Sequence, residues 1–369
     1  MKYYIIAGEA SGDLHGSNLI KALKKEDPAS DIRCWGGDLM KEAGGNLAKH
    51  YREMAFMGFL EVLLNLPTIF KNIRYCKKDI TAFSPDVIIF IDFSGFNLRI
   101  AEWAKNKGYT TNYYISPQVW ASRAGRVEKI KRNIDAMYVI LPFETEFYAQ
   151  YGMEVTFVGH PLLDAIADTP KPDPDFFCKE HGLDPGKPII ALLPGSRKQE
   201  VSKMLATMLQ TAADFPEYQF VVAGAPSLDK TFYLQLLADS NAVLLTGKTY
   251  ALLGIAHAAL VTSGTATLET ALFEVPQVVC YKGSWLSYQI AKRIITLDYI
   301  SLVNLIMKKE VVPELIQSNF NRSRLSAELK KILSGPDRKS QLNAYGKLKT
   351  RLGGPGASRK AARLILGKM

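Results

Sequence analysis

Several stretches of this 369-residue chain gather reactive residue types where a strand gives way to a helix. GEASGDLHG (8–16) follows a short apolar run and sets Glu9, Ser11 and Asp13 around Gly8 and Gly12. A plain strand-to-helix turn needs less than this, so the excess suggests a backbone that stays close to something other than protein. A turn with Ser11 or Asp13 as N-cap is the plainer alternative. It is not a dinucleotide fingerprint, because G-x-G-x-x-G is absent. DFSGFNLR (92–99) places Asp92 at the carboxyl end of the run VIIFI, where a carboxylate can take a proton from an attacking hydroxyl. Its alternatives are a helix cap or an ion pair with Arg99. SPQVWASR (116–123) offers Ser116, Gln118 and Trp120 on the same rim, with Trp120 packed on its loop as the simpler reading.

Two further stretches read as anion cradles. LLPGSRKQEV (192–201) ends a run with Pro-Gly and then presents Ser196 and Arg197 at a helix start. Helix N-terminal amides and a guanidinium in that arrangement hold phosphate. VTSGTATLE (261–269) opens another helix with Ser263, Gly264, Thr265 and Ala266, and Glu269 lies about one turn inside it. Either loop alone is an ordinary capped helix. Together they favour a diphosphate ligand, with Glu269 placed to accept both hydroxyls of a ribose.

The elements that must position these loops follow from periodicity. Short β-rich runs, YYIIA (3–7), VIIFI (87–91), TTNYY (110–114), MYVIL (137–141) and VTFV (155–158), alternate with helical patterns in the first half. IIALL (189–193), FVVA (220–223), AVLL (242–245), ALVT (259–262) and VVCY (278–281) repeat the rhythm in the second. Runs apolar on both sides and separated by helix-length segments predict parallel sheets covered on both faces, an α/β class. ADTPKPDPDFFCKEHGLDPGKP (167–188) carries five of the 18 prolines and reads as a linker. The expected organisation is a Rossmann-like domain over 1–166, this linker, a second Rossmann-like domain over 189–340, and a basic helical segment over 341–369. The two domains are expected to face a central cleft, with ligands beyond the carboxyl ends of the strands.

Composition sets the remaining bounds. Hydrophobic residues at 47% and charged residues at 22% describe a globular chain, and no apolar run is long enough to span a bilayer or serve as a signal peptide. A cytoplasmic location is therefore expected. Four cysteines without C-x-x-C spacing and five histidines without an H-x-x-x-H pair argue for reduced structural thiols and against a zinc site. The net charge of +10 lies in the tail: residues 322–369 hold 13 Lys or Arg against Glu328 and Asp337. That face can be solvated, or it can meet anionic lipid, a partner subunit or nucleic acid. No nucleic-acid motif accompanies it, so nucleic acid is not the expected partner. MAFMGFLEVLLNLPTIFKNIRYCKK (54–78) crowds Phe56, Met57, Phe59, Leu60, Leu63 and Leu64 ahead of Lys71, Arg74 and Lys78. It reads either as core or as an acyl-chain and membrane contact.

In order along the chain, AGEASGD, MGFLEVL, PDVIIFIDFSGFN, SPQVWA, LPFE, VGHP, LLPGSR, SGTATLE and DYISLVNLI resemble the lipid-A-disaccharide synthase family over nearly the whole length. The family's WAWR is WASR here, so a ring is missing at Ser122. The resemblance implies a GT-B fold and an inverting transfer of 2,3-diacylglucosamine from UDP-2,3-diacylglucosamine to the 6-hydroxyl of 2,3-diacylglucosamine 1-phosphate (lipid X). The products would be the β-1,6 disaccharide 1-phosphate and UDP. Asp92 would be the base, and Arg197, Ser196 and the amides at 263–266 would hold the diphosphate. Glu269 would hold the ribose, and Glu9, Ser11 and Asp13 would line the acceptor side. Asn304 and Glu310 would join the same site. No cofactor is implied, and no metal is needed if protein donors neutralise the diphosphate; a D-x-D pair on a suitable loop is absent. The resemblance further implies association with the inner face of the inner membrane and a homodimer through exchanged C-terminal elements. The rival readings are a UDP-N-acetylglucosamine epimerase, the transferase of peptidoglycan lipid intermediates, and a non-catalytic nucleotide-sugar or lipid-binding module.

Overall fold

The computed structural model describes residues 1–53, 66–122, 124–167, 169–237, 240–283 and 298–367. Among these, seven strands form a first sheet: β1 (Lys2–Ala7), β2 (Asp31–Gly36), β3 (Asn46–His50), β4 (Val87–Ile91), β5 (Thr110–Tyr114), β6 (Ala136–Val139) and β7 (Thr156–Phe157). They pair in parallel in the order β3-β2-β1-β4-β5-β6-β7. Six more form a second sheet: β8 (Ile189–Leu193), β9 (Gln219–Gly224), β10 (Val243–Thr246), β11 (Ala258–Thr262), β12 (Gln277–Tyr281) and β13 (Glu314–Ile316). These are also parallel, in the order β10-β9-β8-β11-β12-β13.

The unbroken apolar runs follow from burial on both faces. Along β8, Ile189, Ala191 and Leu193 enter one core with Val221, Ala259 and Val261, while Ile190 and Leu192 enter another with Val222, Leu260 and Val278. Successive side chains point to opposite faces, so a strand covered by helices on both sides needs an apolar residue at every position. In both sheets the strand order reverses at the centre, between β1 and β4 and between β8 and β11. Loops leaving the carboxyl ends of those four strands diverge there and leave room for a ligand.

The chain divides into one unit of Met1–Asp164 with Leu352–Met369 and a second of Ala165–Arg351. The stretch expected as a linker, 167–188, folds with the second unit. Asp173 caps the helix Pro174–Glu180 by accepting the Phe176 N–H, and Phe177, Cys178 and Leu183 are buried in the second unit's core. Proline at N1 suits this helix start, because the missing N–H would be unpaired there anyway. The helix Gly335–Arg351 belongs to the second unit and the helix Ala357–Ile365 to the first.

Much of the tail's positive charge is held inside the chain. Arg359 and Arg363 both donate to Glu26 Oε1, Lys360 to the Phe157 carbonyl, Arg338 to the His257 carbonyl, Arg351 to the Ile306 carbonyl and Lys349 to Glu274. All four cysteines are buried and free. Among the described residues, no helix is long and apolar enough to cross a membrane.

Candidate active site

In the first unit the central loops are those after β1 and β4. Asp92 and Phe93 both adopt left-handed backbone conformations, with φ of 42° and 46°. A left-handed non-glycine residue costs about 1–2 kcal/mol, so two in succession persist only where neighbours fix them. Here the Asp92 carbonyl accepts from the Tyr113 hydroxyl and from Asn97 Nδ2 at 2.8 Å, and the Asp92 N–H donates to the Ile115 carbonyl at 3.2 Å. The Phe93 ring lies against Gly8, where a Cβ would stand 2.2 Å from Phe93 Cγ. This corrects the reading of the glycine-rich turn: Gly8 makes room for a phenylalanine, and Gly12 makes room for close packing on Ala7.

Among the described residues the Asp92 side chain forms neither an ion pair with Arg99 nor a helix cap, and its protein donor is the Phe93 backbone N–H. The helix after it is N-capped by Phe93 without a side-chain bond, and Arg99 turns to the Gly95 carbonyl. Burial, reinforced by the nearby Glu9 carboxylate and opposed by the Phe93 backbone N–H, pushes its carboxyl up to about 6. Glu9 is the N-cap residue of the helix Ala10–Glu26 but makes no capping hydrogen bond, and Ser11 is exposed.

Other polar residues expected here are committed elsewhere. Asp13 is buried and accepts the amides of Gly37 at 2.7 Å, Met40 at 3.0 Å and Leu39 at 3.2 Å, so its carboxylate serves the N-terminus of the helix Asp38–Glu42. Ser116 is buried and shares a 2.6 Å hydrogen bond with Tyr148. Beside it Glu144 accepts the amides of Ile140 and Leu141, and burial raises its carboxyl to about 7. Gln118 is exposed, and Trp120 packs edge-on against Phe143 at 4.9 Å.

The second unit brings the two loops expected to cradle an anion into one cavity of about 310 Å³. Its lining includes Ser196, Thr262, Ser263, Gly264, Thr265, Ala266 and Glu269, together with Gly195, Glu200 and Thr249. Gly195 at φ 114° and Gly264 at φ 143° make turns that a side chain would strain, and no side chain caps the first turn of the helix Thr265–Leu272. Those first amides are therefore available to an anion. Glu269 accepts from the Tyr250 hydroxyl at 2.8 Å, and burial raises its carboxyl above the usual range. Thr262 Oγ1 is buried without a hydrogen-bond partner among the described residues. Arg197 is exposed beside the cavity, 3.5 Å from Glu200, and Ser263 Oγ donates to the Ile300 carbonyl at 2.8 Å.

Asn304 and Glu310 do not join the cavity. The Asn304 amide donates to the Val312 carbonyl (2.9 Å) and Glu314 Oε1 (2.8 Å) and accepts from the Val311 (2.7 Å) and Val312 (3.0 Å) amides, which uses its full capacity. Glu310 is exposed. Glu314, which sequence reasoning missed, also accepts the amides of Ile300 and Ser301, so this lock fixes the carbonyl that Ser263 reaches. Phe56, Met57, Phe59, Leu60, Leu63 and Leu64 lie outside the described residues. Lys71, Arg74 and Lys78 lie exposed on the helix Leu66–Phe83, on one face with the exposed Phe70 and Tyr75.

A protein-family model described as lipid-A-disaccharide synthetase matches residues 3–366. The lipid-A-disaccharide synthase of Syntrophus aciditrophicus (strain SB) is 43% identical over 370 residues, which cover 98% of this chain and 96% of that one. Among solved structures, the UDP-GlcNAc 2-epimerase from Neisseria meningitidis superposes with a TM-score of 0.70 at 12% identity, covering 100% of both chains. The glycotransferase of kitacinnamycin superposes with a TM-score of 0.66 at 15% identity, covering 100% of this chain and 99% of that one. At those identities the likeness speaks to architecture, and the architecture is the GT-B fold.

The hydrogen bonding of Asn304 yields a prediction that separates scaffold from site. Asn304→Ala strands the Val311 and Val312 amides and should cost on the order of 3 kcal/mol, read as a lower midpoint in chemical denaturation. An unchanged midpoint with lost ligand binding would return Asn304 to the site.

Proposed function

The chain belongs to the lipid-A-disaccharide synthetase family and is a glycosyltransferase of lipid A biosynthesis, and we propose that it transfers 2,3-diacylglucosamine from its UDP conjugate to lipid X with inversion. The observation that carries this reading is the Asp92 carboxylate, partly buried at the switch point of the first sheet and raised to about 6. A base poised near working pH is best matched to taking a hydroxyl proton. The 6-hydroxyl oxygen of the acceptor bonds to C1 of the donor sugar as its proton passes to Asp92. The C1–oxygen bond to the diphosphate breaks, and UDP departs with the electron pair. An α-linked donor then gives a β product.

The second unit supplies the leaving-group side. The amides opening the helix at Thr265, the Ser196 hydroxyl and the Arg197 guanidinium offer donors to the departing diphosphate, and Glu269 offers acceptors to a ribose. For Arg197 to act, it must exchange its Glu200 partner for the phosphate. With these donors the reaction needs no metal. Glu9 and Ser11 remain as acceptor-side contacts, while Asp13, Ser116 and Asn304 support the loops.

The face bearing Phe70, Lys71, Arg74, Tyr75 and Lys78 suits a peripheral contact with an anionic bilayer, where aromatics seat at headgroup level and cations meet lipid phosphates. We propose on this basis that the enzyme works at a membrane surface, the cytoplasmic face of the inner membrane being the one that the family resemblance implies. We also propose a homodimer in which the helix Ala357–Ile365 is exchanged. The connector before it has positive φ at Gly353, Gly354 and Gly356, and its contacts to Glu26 can form equally within one chain or between two.

Three experiments test these proposals. Acceptor-dependent UDP release from the acylated donor should survive chelator, fall below about pH 6 as Asp92 takes up a proton, and drop at least a hundredfold in Asp92→Asn. Release without acceptor, loss with chelator, or full activity in Asp92→Asn would each remove its part of the scheme. Replacing Lys71, Arg74 and Lys78 together with Ala should weaken binding to anionic vesicles by about a hundredfold while sparing UDP binding; undiminished binding would exclude this face. Light scattering should give twice the 41.0 kDa chain mass, and the monomer mass at micromolar concentration would exclude the dimer.

A further inference from the structure

We propose that Asn97 and Tyr113 are positioning residues for the Asp92 carboxylate, acting through the backbone carbonyl of Asp92 that both hold. This rests on the reading of Asp92 as the base. Asn97 is fully buried, and its Nδ2 faces three carbonyl oxygens at the carboxyl ends of the two central strands: Asp92 at 2.8 Å, Ile91 at 3.2 Å and Ile6 at 3.4 Å. Tyr113 is also fully buried and reaches the Asp92 carbonyl from the neighbouring strand β5. A single carbonyl thus receives donors from two directions at the residue where the backbone enters the left-handed region.

The consequence follows from the geometry of a peptide chain. With the carbonyl fixed and the Asp92 N–H held by Ile115, the Cα–Cβ bond has one direction, and the carboxylate it carries lies within the electrostatic reach of Glu9. Phe93, carried through the same left-handed turn, seals the underside by packing on Gly8. Without the clamp, a non-glycine pair would relax to an ordinary conformation and the side chain would swing toward water. Its surroundings would then lack both the burial and the Glu9 charge that raise its carboxyl; Tyr113, whose hydroxyl burial keeps far above the working range, stays neutral throughout.

Tyr113→Phe removes one hydroxyl and leaves the buried ring against Phe90, at 5.7 Å between centroids. In the full-length enzyme it should lower kcat by about ten- to a hundredfold with the acceptor KM within about threefold, as expected for a misplaced base. It should also shift the acid limb of kcat/KM down from about 6 toward the ordinary carboxylate value of about 4. Asn97→Ala should shift the limb in the same direction, and UDP affinity, which reports on the second unit, should stay unchanged in whichever variant folds. A Tyr113→Phe profile superimposed on that of the unaltered enzyme, or a lower rate with the acid limb in place, would overturn the positioning role. Asp92→Asn, assayed alongside, distinguishes the two levels. Full activity there removes the base and this proposal together, whereas lost activity there with an unshifted Tyr113→Phe removes the positioning role alone.

Discussion

Everything at the centre of the first unit depends on holding two consecutive residues, Asp92 and Phe93, in a backbone region that L-amino acids avoid. Three strands contribute to that constraint. β1 supplies the Ile6 carbonyl and is followed by Gly8, β4 leads into the pair, and β5 supplies Tyr113 and is followed by the Ile115 carbonyl. These strands are adjacent only because the sheet order reverses between β1 and β4. A carboxylate held mainly through its backbone, with the Phe93 N–H as the protein donor to its own oxygens, keeps acceptor capacity in reserve, which a base requires.

The second unit meets the same need with different groups. Its cavity presents backbone amides at the start of the helix Thr265–Leu272, which has no side-chain cap, while across from them the Ser196 amide after Gly195 donates to Glu200. Rigidity comes from a lock behind them, in which Glu314 and Asn304 tie the Ile300–Ser301 backbone to the start of β13 and Ser263 ties onto Ile300. In both units the distinction between scaffold and site is one of hydrogen-bond capacity. Asp13 and Asn304 have theirs filled by the protein, whereas the carboxylate of Asp92 and the buried hydroxyl of Thr262 do not.

That distinction also marks what the sequence could and could not reveal. The central strands were legible because burial on both faces forces continuous apolar runs, as in VIIFI and IIALL. β2, β3 and β13 were not: β2 carries Asp31 and Arg33, β3 lies only partly buried at a sheet edge, and β13 has three residues. LPGSR and SGTATLE were legible as loops of one cavity because each sets glycine and small residues between the end of an apolar strand and the start of a helix. Asp13 and Asn304 read as site residues because residue type cannot show whether a side chain's bonds are already taken. The proline-rich stretch read as a linker because Phe177, Cys178 and Leu183, which anchor it in the core, are only three side chains among many polar ones. Asn97 and Tyr113 were invisible as positioning groups, since each acts on a carbonyl whose conformation no local pattern records.

The most direct test of this account is the titration of the Asp92 carboxyl itself, followed by carbon NMR in the ligand-free enzyme with Asp92→Asn used to assign the resonance. The midpoint should lie near 6, set by burial and the charge of Glu9. A midpoint near the ordinary value of about 4 would mean that the clamped carboxylate is open to water, and would contradict its role as a poised base.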